Sequence, residues 1–411
     1  MTDSMNGLNG FNSVPSKYIN ICMPYETPVD VLHNFGEGLF EVICKELFVK
    51  DSSLVPKSDL FKVPHNEYVR ELSNTVLPTE FANISNRRNA TDKILFFRLT
   101  LCLNAIVSDT LNTKARLVIV ALSLLCNKMF TGGRASQIFD GELCSSASWF
   151  LMEASERYIS CKAHEILYHL PHVNMLFNNV APLSTFSFES AYQYILLGYS
   201  SKLTRNYSET VCSRVLLHNV LRRELAKRAE ISHSEKLKKF CSLTPGIFKL
   251  SSALKYRVDS LKAEDIVPTI DINCDYFGWF SMSLGTLKSE YCDSKTQNDV
   301  FFVENSGRLE CYRFVVAFVI DGFTKVLAEP IRSAEQRFLS LRSGVEELTG
   351  TDLHYGLAIL KMMDSYEGIT CGNLTGERSI IPASSIYSIG CYTYCKESII
   401  ALAINGVAVH N

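Results

Sequence analysis

The sequence predicts an α+β fold in which a mainly helical body is followed by a β-rich C-terminal domain. From about residue 92 to 230, apolar residues recur at helical spacing. From about residue 270, they form short runs separated by Gly-containing turns, as in successive strands. At 411 residues the chain exceeds one small domain. We therefore divide it into a loose N-terminus at 1–20, a helical region at 21–240, a linker at 241–269 and a β-rich domain at 270–411.

The helical region contains four predicted helices. The first begins at a cap formed by Thr91 or Asp92, and the second ends at the Gly132-Gly133 pair. The third contains "SASWFLMEASERYISCKAHEILYHL" and is expected to stop at Pro171, because proline removes a backbone donor. The fourth is "SETVCSRVLLHNVLRRELAKRAE". Its predicted apolar side consists of Val211, Val215, Leu221 and Leu225.

The β-rich domain is predicted from its turns. Asn305-Ser-Gly307 and Asp321-Gly322 separate three apolar runs between residues 300 and 331, and Asp-Gly is a strong hairpin signal. Asn405-Gly406 predicts a further turn near the C-terminus.

Composition narrows the possible classes of protein. Charged residues make up 20% of the chain, the net charge is −2, and hydrophobic residues make up 47%. These values describe a folded protein without an overall attraction to nucleic acid or membrane. The first residues lack the features of a secretory signal, so the 14 cysteines are expected to be reduced and the protein intracellular, not secreted. The longest apolar stretch, Leu117–Cys126, is too short for a membrane span and predicts a buried core helix.

Two clusters raise the question of a metal site. "CKAHEILYHLPH" contains His164 and His169, which lie about 140° apart on an α-helix, so they do not aim at one metal ion. Hydrogen bonding at a helix end is the other interpretation of this cluster. Cys391 and Cys395 share a strand face but lack a second ligand pair. No bound metal is therefore expected, and the absence of nucleotide and dinucleotide motifs predicts no small-molecule cofactor.

The region 202–239 has the strongest local charge. It carries ten Lys or Arg residues against four Glu residues. Such a stretch suits contact with a nucleic-acid backbone, although a solvated helix face gives the same pattern. The predicted DNA-binding residues are Arg222, Arg223, Lys227 and Arg228.

Four segments between residues 20 and 230 occur in a recognisable order: "TPVDVLHNFGEGLFEVICKEL", "LPTEFANISNRRNATDKILFFRLTL", "ARLVIVALSLLC" and "HEILYHLPHVNMLFNNVAPLSTFSFES". Taken together, they resemble the C-terminal half of CACTA-type DDE transposases of animal transposable elements. More faintly, the β-rich tail resembles the barrel-like tail of some such proteins. The resemblance implies a partial RNase H-like core with an all-α region.

The same resemblance implies a DNA-cutting site with two divalent metals, which stabilise the attacking and leaving oxygens. Asp30 and His33 match the family's D-x-x-H motif, and Glu189 matches a closing acidic ligand. Asp30 and Glu189 are thus the catalytic candidates, although D-x-x-H is also consistent with a structural role. Ala181 and Ser187 depart from the family pattern, and only 29 residues precede Asp30, so the upstream aspartates are not expected here.

We therefore expect a truncated, catalytically incomplete protein that acts as a DNA-binding or interaction module. Its expected partner is DNA, and its expected location is the nucleus. One alternative is a metal-dependent transposase subunit whose site, with Mg²⁺, is completed by a partner chain. Another is a module that binds a protein partner through its β-rich tail. No membrane association is expected.

Overall fold

A computed structural model describes most of the chain. The described residues are 30, 32–48, 57–78, 81, 89–131, 137–177, nine residues between 213 and 228, 253–259, 274–282, 285–292, 298–334, 338–396 and 398–404. They fall into two compact units. The first contains 30–177 and 254–404, and the second contains the residues between 213 and 228 together with Ala253.

The helices of the first unit lie mainly in its N-terminal part. Their bounds are α1 Phe40–Phe48, α2 His65–Leu72, α3 Ala90–Leu95, α4 Cys102–Val107, α5 Thr113–Thr131, α6 Gln137–Ala154, α7 Cys161–His164, α8 Leu170–Phe177, α9 Leu339–Glu346 and α10 Gly350–Ser365. Three π-helical segments adjoin them, at Leu32–Leu39, Phe96–Leu101 and Glu165–His169. Short 3₁₀ turns occur at Glu156–Tyr158 and Ala383–Ser385.

The described strands lie towards the C-terminus. They are β1 Ala253–Arg257, β2 Tyr276–Met282, β3 Gly285–Lys288, β4 Val300–Asn305, β5 Arg308–Ile320, β6 Phe323–Ser333, β7 Ile369–Leu374, β8 Ser379–Pro382, β9 Ile386–Cys395 and β10 Ser398–Ala403. The prediction of a mixed fold with a β-rich C-terminal region is therefore confirmed. Strand β1 lies inside the segment predicted as a linker.

Residues 115–127 of helix α5 are buried around the whole circumference of the helix. Leu117, Ile119 and Val120 are fully buried, as are their neighbours on the other faces. A helix that is apolar on all sides belongs in a core, and this agrees with the prediction from Leu117–Cys126. The cap of α3 differs from the prediction: the side chain of Asn89 accepts a hydrogen bond from the Asp92 amide at 2.7 Å, so Asn89 is the N-cap.

Six strands close into a barrel with antiparallel neighbours in the order β4, β5, β6, β7, β10, β9 and back to β4. One core cluster draws on alternate residues of five of these strands, which places it inside the barrel. Its members are Val300, Phe302, Cys311, Ile331, Tyr392, Ile399, Ala401 and Ala403. Gly372 on β7 allows β6 to approach closely, since a Cβ atom there would lie 2.0 Å from the Arg332 carbonyl oxygen.

Two predicted hairpin turns are confirmed. Ser306 and Gly307 join β4 to β5 with φ of 52° and 79°. Asp321 and Gly322 join β5 to β6 with φ of 53° and 79°. Positive φ at both central positions matches the twist of the flanking strands, and Asp-Gly tolerates it well. The turn predicted at Asn405-Gly406 lies outside the described residues.

The C-terminal region also contains two helices that the sequence analysis missed. Helices α9 and α10 leave the barrel between β6 and β7 and pack on α5 and α6. Trp149 Nε1 on α6 donates to Asp352 Oδ1 on α10 at 2.8 Å. Val76, just after α2, pairs with Tyr392 of β9 through two backbone hydrogen bonds of 2.7 and 3.1 Å. Helices and barrel therefore share one compact unit.

Candidate functional site

The D-x-x-H motif lies at the start of the π-helical segment Leu32–Leu39. Asp30 Oδ2 is 2.6 Å from His33 Nδ1, and Asp30 Oδ1 accepts a hydrogen bond from the Leu32 amide at 3.1 Å. The Asp30 carbonyl accepts from the Asn34 amide at 2.8 Å. A carboxylate that accepts from the first amides of a helix stabilises its N-terminus. In this structure Asp30 therefore acts as a helix cap whose carboxylate also binds His33.

This segment packs against the histidine-rich stretch. The buried Asn34 donates from Nδ2 to Glu165 Oε2, and Lys162 Nζ donates to the Glu37 carbonyl at 3.3 Å. A Cβ atom at Gly38 would lie 3.1 Å from the Lys162 side chain, so the two segments touch closely. Two motifs that are more than 130 residues apart in sequence thus form one polar contact.

The histidine-rich stretch departs from the predicted geometry. Pro171 does not stop the helix: α8 runs through it, and the π-helical segment Glu165–His169 precedes it. Proline cannot donate the usual backbone hydrogen bond, and a widened turn accommodates that loss. The i to i+5 repeat of a π-turn brings residues five apart to the same side. The rings of His164 and His169 consequently lie 4.9 Å apart, where an α-helix would separate them.

The predicted third helix is also interrupted. Helix α6 ends at Ala154, and the chain restarts after the caps Ser155 and Ser160, whose side chains accept from the amides of Arg157 and Ala163. Serine favours such capping because its hydroxyl satisfies an amide left free at the helix start.

The predicted site residues are only partly brought together. Asp30 and His33 touch, whereas Glu189 lies outside the described residues. Within the described part of the chain, no group of three or more His, Cys, Asp or Glu side chains is arranged to hold a metal ion. Cys391 is buried and Cys395 half-buried on the same face of β9, paired with Leu402 and Ser398.

The basic stretch lies in the second unit. Arg223, Lys227 and Arg228 are helical and exposed, while Arg222 lies outside the described residues, as do Val211, Val215 and Leu225. Lys227 Nζ is 3.5 Å from Glu224 Oε1. Leu221, expected on an apolar side, is 51% exposed, and three apolar neighbours are similarly exposed, namely Leu216, Leu217 and Val220.

Sequence reasoning missed a polar junction between the helices and the barrel region. The buried Arg116 donates from Nε to the Ala105 carbonyl and from Nη2 to the Ile106 carbonyl, each at 2.7 Å. It also donates to Ser340 Oγ of α9 at 3.1 Å. Burial lowers the pKa of Arg116 to about 10, so the guanidinium remains charged at neutral pH. No local pattern reveals a pair separated by 224 residues.

Comparisons with known proteins do not assign a family. No protein-family model matches the chain, and no significant match was found among curated proteins or solved structures. Among the described residues, no helix combines the length and the apolarity that a membrane crossing requires. The fold defines the class: a mixed α and β protein in which a helical body packs with a closed six-stranded barrel.

Proposed function

We propose that the protein is derived from a transposable-element transposase and binds duplex DNA in the nucleus without cutting it. Its helical body would then be a remnant of the RNase H-like core and all-α region of that family. The observation that carries this proposal is the exposed basic surface formed by Arg223, Lys227 and Arg228.

These cations fall within an arc of about 140° around their helix. At 100° per residue, Arg223 and Lys227 lie about 40° apart around the axis, and Arg228 follows about 100° further on. All three are exposed and therefore accessible to a phosphate backbone. Only Glu224, beside Lys227, introduces a negative charge among the described residues of this surface. Phosphate contacts of this kind give affinity that falls as salt rises.

The geometry of Asp30 supports a non-catalytic role. A catalytic carboxylate in a two-metal site must offer its oxygens to the metal ions. Both Asp30 oxygens already interact, with His33 and with the Leu32 amide. This arrangement favours the structural interpretation of D-x-x-H over the catalytic one.

The proposal is tested by measuring duplex DNA binding across a range of salt concentrations. The triple variant Arg223→Glu, Lys227→Glu, Arg228→Glu is expected to weaken binding and to flatten the salt dependence by about 0.9 in slope for each phosphate that is no longer neutralised. A matched control reverses three exposed cations elsewhere, Lys62, Arg308 and Lys361, with the same change in net charge.

Unchanged DNA binding by the triple variant would show that this surface is not the interface. Salt-insensitive binding by the wild-type chain would argue against a phosphate contact altogether. If the control weakens binding as much as the triple variant, net charge rather than this surface determines affinity.

In the alternative proposal, a partner chain supplies the missing aspartates of a Mg²⁺ site. This chain would contribute Glu189 and Asp30 as the other ligands. This alternative predicts metal-dependent nicking by the reconstituted complex that disappears in Glu189→Gln and in Asp30→Asn. Nicking that survives both substitutions would exclude these residues from the mechanism.

A protein partner is a second candidate, favoured by exposed apolar side chains. Leu216, Leu217, Val220 and Leu221 are all at least half exposed, and burying such residues stabilises an interface. Phe323, at the β5–β6 turn, is 72% exposed and offers a contact point on the β-rich region. Sedimentation of the wild type, Leu217→Asp and Phe323→Asp would reveal self-association, and identical monomeric behaviour would exclude a second copy as the partner.

A further inference from the structure

A cavity of about 230 Å³ lies where the helical body meets the barrel. Four parts of the chain line it: the end of α2, the end of α4 with the loop that follows, the start of α9 and the end of β9. Its volume is smaller than the roughly 300–1,000 Å³ typical of sites for drug-sized ligands. The cavity therefore suits a molecule smaller than a drug-sized ligand.

The wall of the cavity is held in place by hydrogen bonds. Glu71 Oε1 accepts from the amides of Asp109 and Thr110 at 3.2 and 3.1 Å. Glu71 Oε2 accepts from the hydroxyls of Ser108 and Thr110 at 2.6 and 2.9 Å. Arg116 donates a hydrogen bond to Ser340 Oγ and so holds the start of α9, which forms another part of the wall. A site formed in advance binds a ligand without the cost of ordering its own loops.

Two opposite charges line this cavity without pairing. The side chains of Asp109 and Lys396 are exposed. Asp109 interacts electrostatically with Arg116, but among the described residues neither Asp109 nor Lys396 forms a direct side-chain hydrogen bond or ion pair. Lys396 is held at the β9–β10 turn with φ of 56°, which fixes where its side chain leaves the backbone. The Glu71 carboxylate adds negative charge on the Asp109 side, and Arg116 lies behind the wall. The cavity thus presents separated positive and negative groups.

The base of the cavity includes an unsatisfied amide. Asn104 is 1% exposed, and neither its Oδ1 nor its Nδ2 has a partner among the described residues. Leaving such groups unpaired is costly, so a ligand that reaches Asn104 directly or through one water gains affinity. The Asn74 side chain, at the rim, also has no partner within the described part of the chain.

We propose that this cavity binds a free amino acid or a zwitterion of similar size, with its carboxylate facing Lys396 and its ammonium group facing Asp109. A zwitterion offers one opposite charge to each of these groups and leaves the net charge of the site unchanged. A phosphate ester matches poorly because it would meet the carboxylates of Asp109 and Glu71. A large apolar ligand would leave both charges and the Asn104 amide unsatisfied.

The test measures binding of each of the common free amino acids to the full chain by thermal shift and calorimetry. At least one is expected to raise Tm and to release or absorb heat. Its N-acetyl amide, which lacks both charges, is expected to bind about a hundredfold more weakly or not at all, since it loses both charged hydrogen bonds. Equal binding of the blocked and free forms would overturn the zwitterion proposal.

Conservative variants locate the site. Lys396→Gln and Asp109→Asn are each expected to weaken binding about tenfold, because each removes one charged hydrogen bond. The matched controls Lys361→Gln and Asp321→Asn change exposed residues outside the cavity and are expected to bind as the wild type does. Full binding by both cavity variants would place the ligand elsewhere.

Cysteine labelling gives a local readout that is separate from Tm and binding heat. Cys395 lines the cavity and is half-buried, whereas Cys161 is exposed on α7. The bound amino acid is expected to slow iodoacetamide labelling of Cys395 and to leave Cys161 unaffected, as measured by peptide mass spectrometry. If no amino acid shifts Tm, gives heat or protects Cys395, the proposal is wrong.

Discussion

Replacing Arg116 with methionine tests how strongly the polar junction stabilises the fold. Methionine retains an unbranched apolar stem but cannot donate to the carbonyls of Ala105 and Ile106, which lie in the last turn of helix α4. Each buried carbonyl left without a partner costs about 1–3 kcal/mol. Because two such carbonyls would lose their partner, we expect the free energy of unfolding to fall by about 2–6 kcal/mol in total.

The control is another arginine with a different environment. Arg342 donates from Nη2 to Asp364, but both side chains are about one-third exposed. An exposed ion pair contributes about 0–1 kcal/mol, so Arg342→Met is expected to change stability little. Ser340→Ala removes only one acceptor from Arg116 and is expected to cost about 1 kcal/mol.

Urea denaturation followed by circular dichroism measures these differences. The expected order of destabilisation is Arg116→Met, then Ser340→Ala, then Arg342→Met. If Arg116→Met lies within about 1 kcal/mol of Arg342→Met, the guanidinium is not satisfying buried carbonyls as described.

Three further predictions concern the backbone, the barrel core and pH. Gly372→Ala should destabilise the protein by about 3 kcal/mol or more, because the added Cβ atom would clash with the Arg332 carbonyl. Gly141 lies within helix α6, and a Cβ atom added there would meet no other atom, so Gly141→Ala should stabilise the protein by about 0.5–1 kcal/mol. Urea unfolding measures both changes. Phe302→Ala should cost about 3–5 kcal/mol in the same assay, since its ring fills the barrel, and a cost below about 1 kcal/mol would refute that packing. Burial, followed by the neighbouring imidazole of His164, lowers the pKa of His169 in the folded protein. Because an unfolded histidine has a pKa of about 6.5, the stability that neutral His169 contributes is fully present above that pH and is lost as the pH falls below it. Tm measured against pH should therefore drop less steeply for His169→Gln than for the wild type, and parallel curves would contradict this.

Local signals predicted the local structure. The β4–β5 and β5–β6 hairpins followed from Asn305-Ser-Gly307 and Asp321-Gly322 because these turns are determined by two or three residues. The buried helix α5 followed from a continuous apolar run. The division into a helical and a β-rich part likewise followed from the change in the spacing of apolar residues along the sequence.

Features that depend on distant partners were not predictable in this way. Barrel closure pairs β4 with β9, and the contact between Arg116 and Ser340 spans 224 residues. The predicted geometry of His164 and His169 was wrong because an α-helix was assumed, whereas Pro171 is accommodated by a π-turn. Helices α9 and α10 were overlooked because the surrounding strands dominated the pattern.

The candidate site was predicted only in part. The motif containing Asp30 and His33 was found from a family resemblance. The hydrogen bond between these two side chains was not predicted. The cavity near Asp109 and Lys396 left no recognisable motif, because its lining comes from four separate segments. In the sequence, Lys396 is indistinguishable from other surface lysines, and only the fold shows that it lines the same cavity as Asp109.

The pairing of Val76 with Tyr392 has a consequence for biosynthesis. The neighbouring contact between Asn74 and Thr393 joins residues 319 positions apart. At about 5–20 residues per second, the ribosome needs about 15–60 s to deliver the second partner after the first. During that time the apolar surface of α4 that contacts β9 and β10 has no cover from them. Chaperone binding to nascent chains should therefore be strongest before β9 emerges and should decline once β10 is complete.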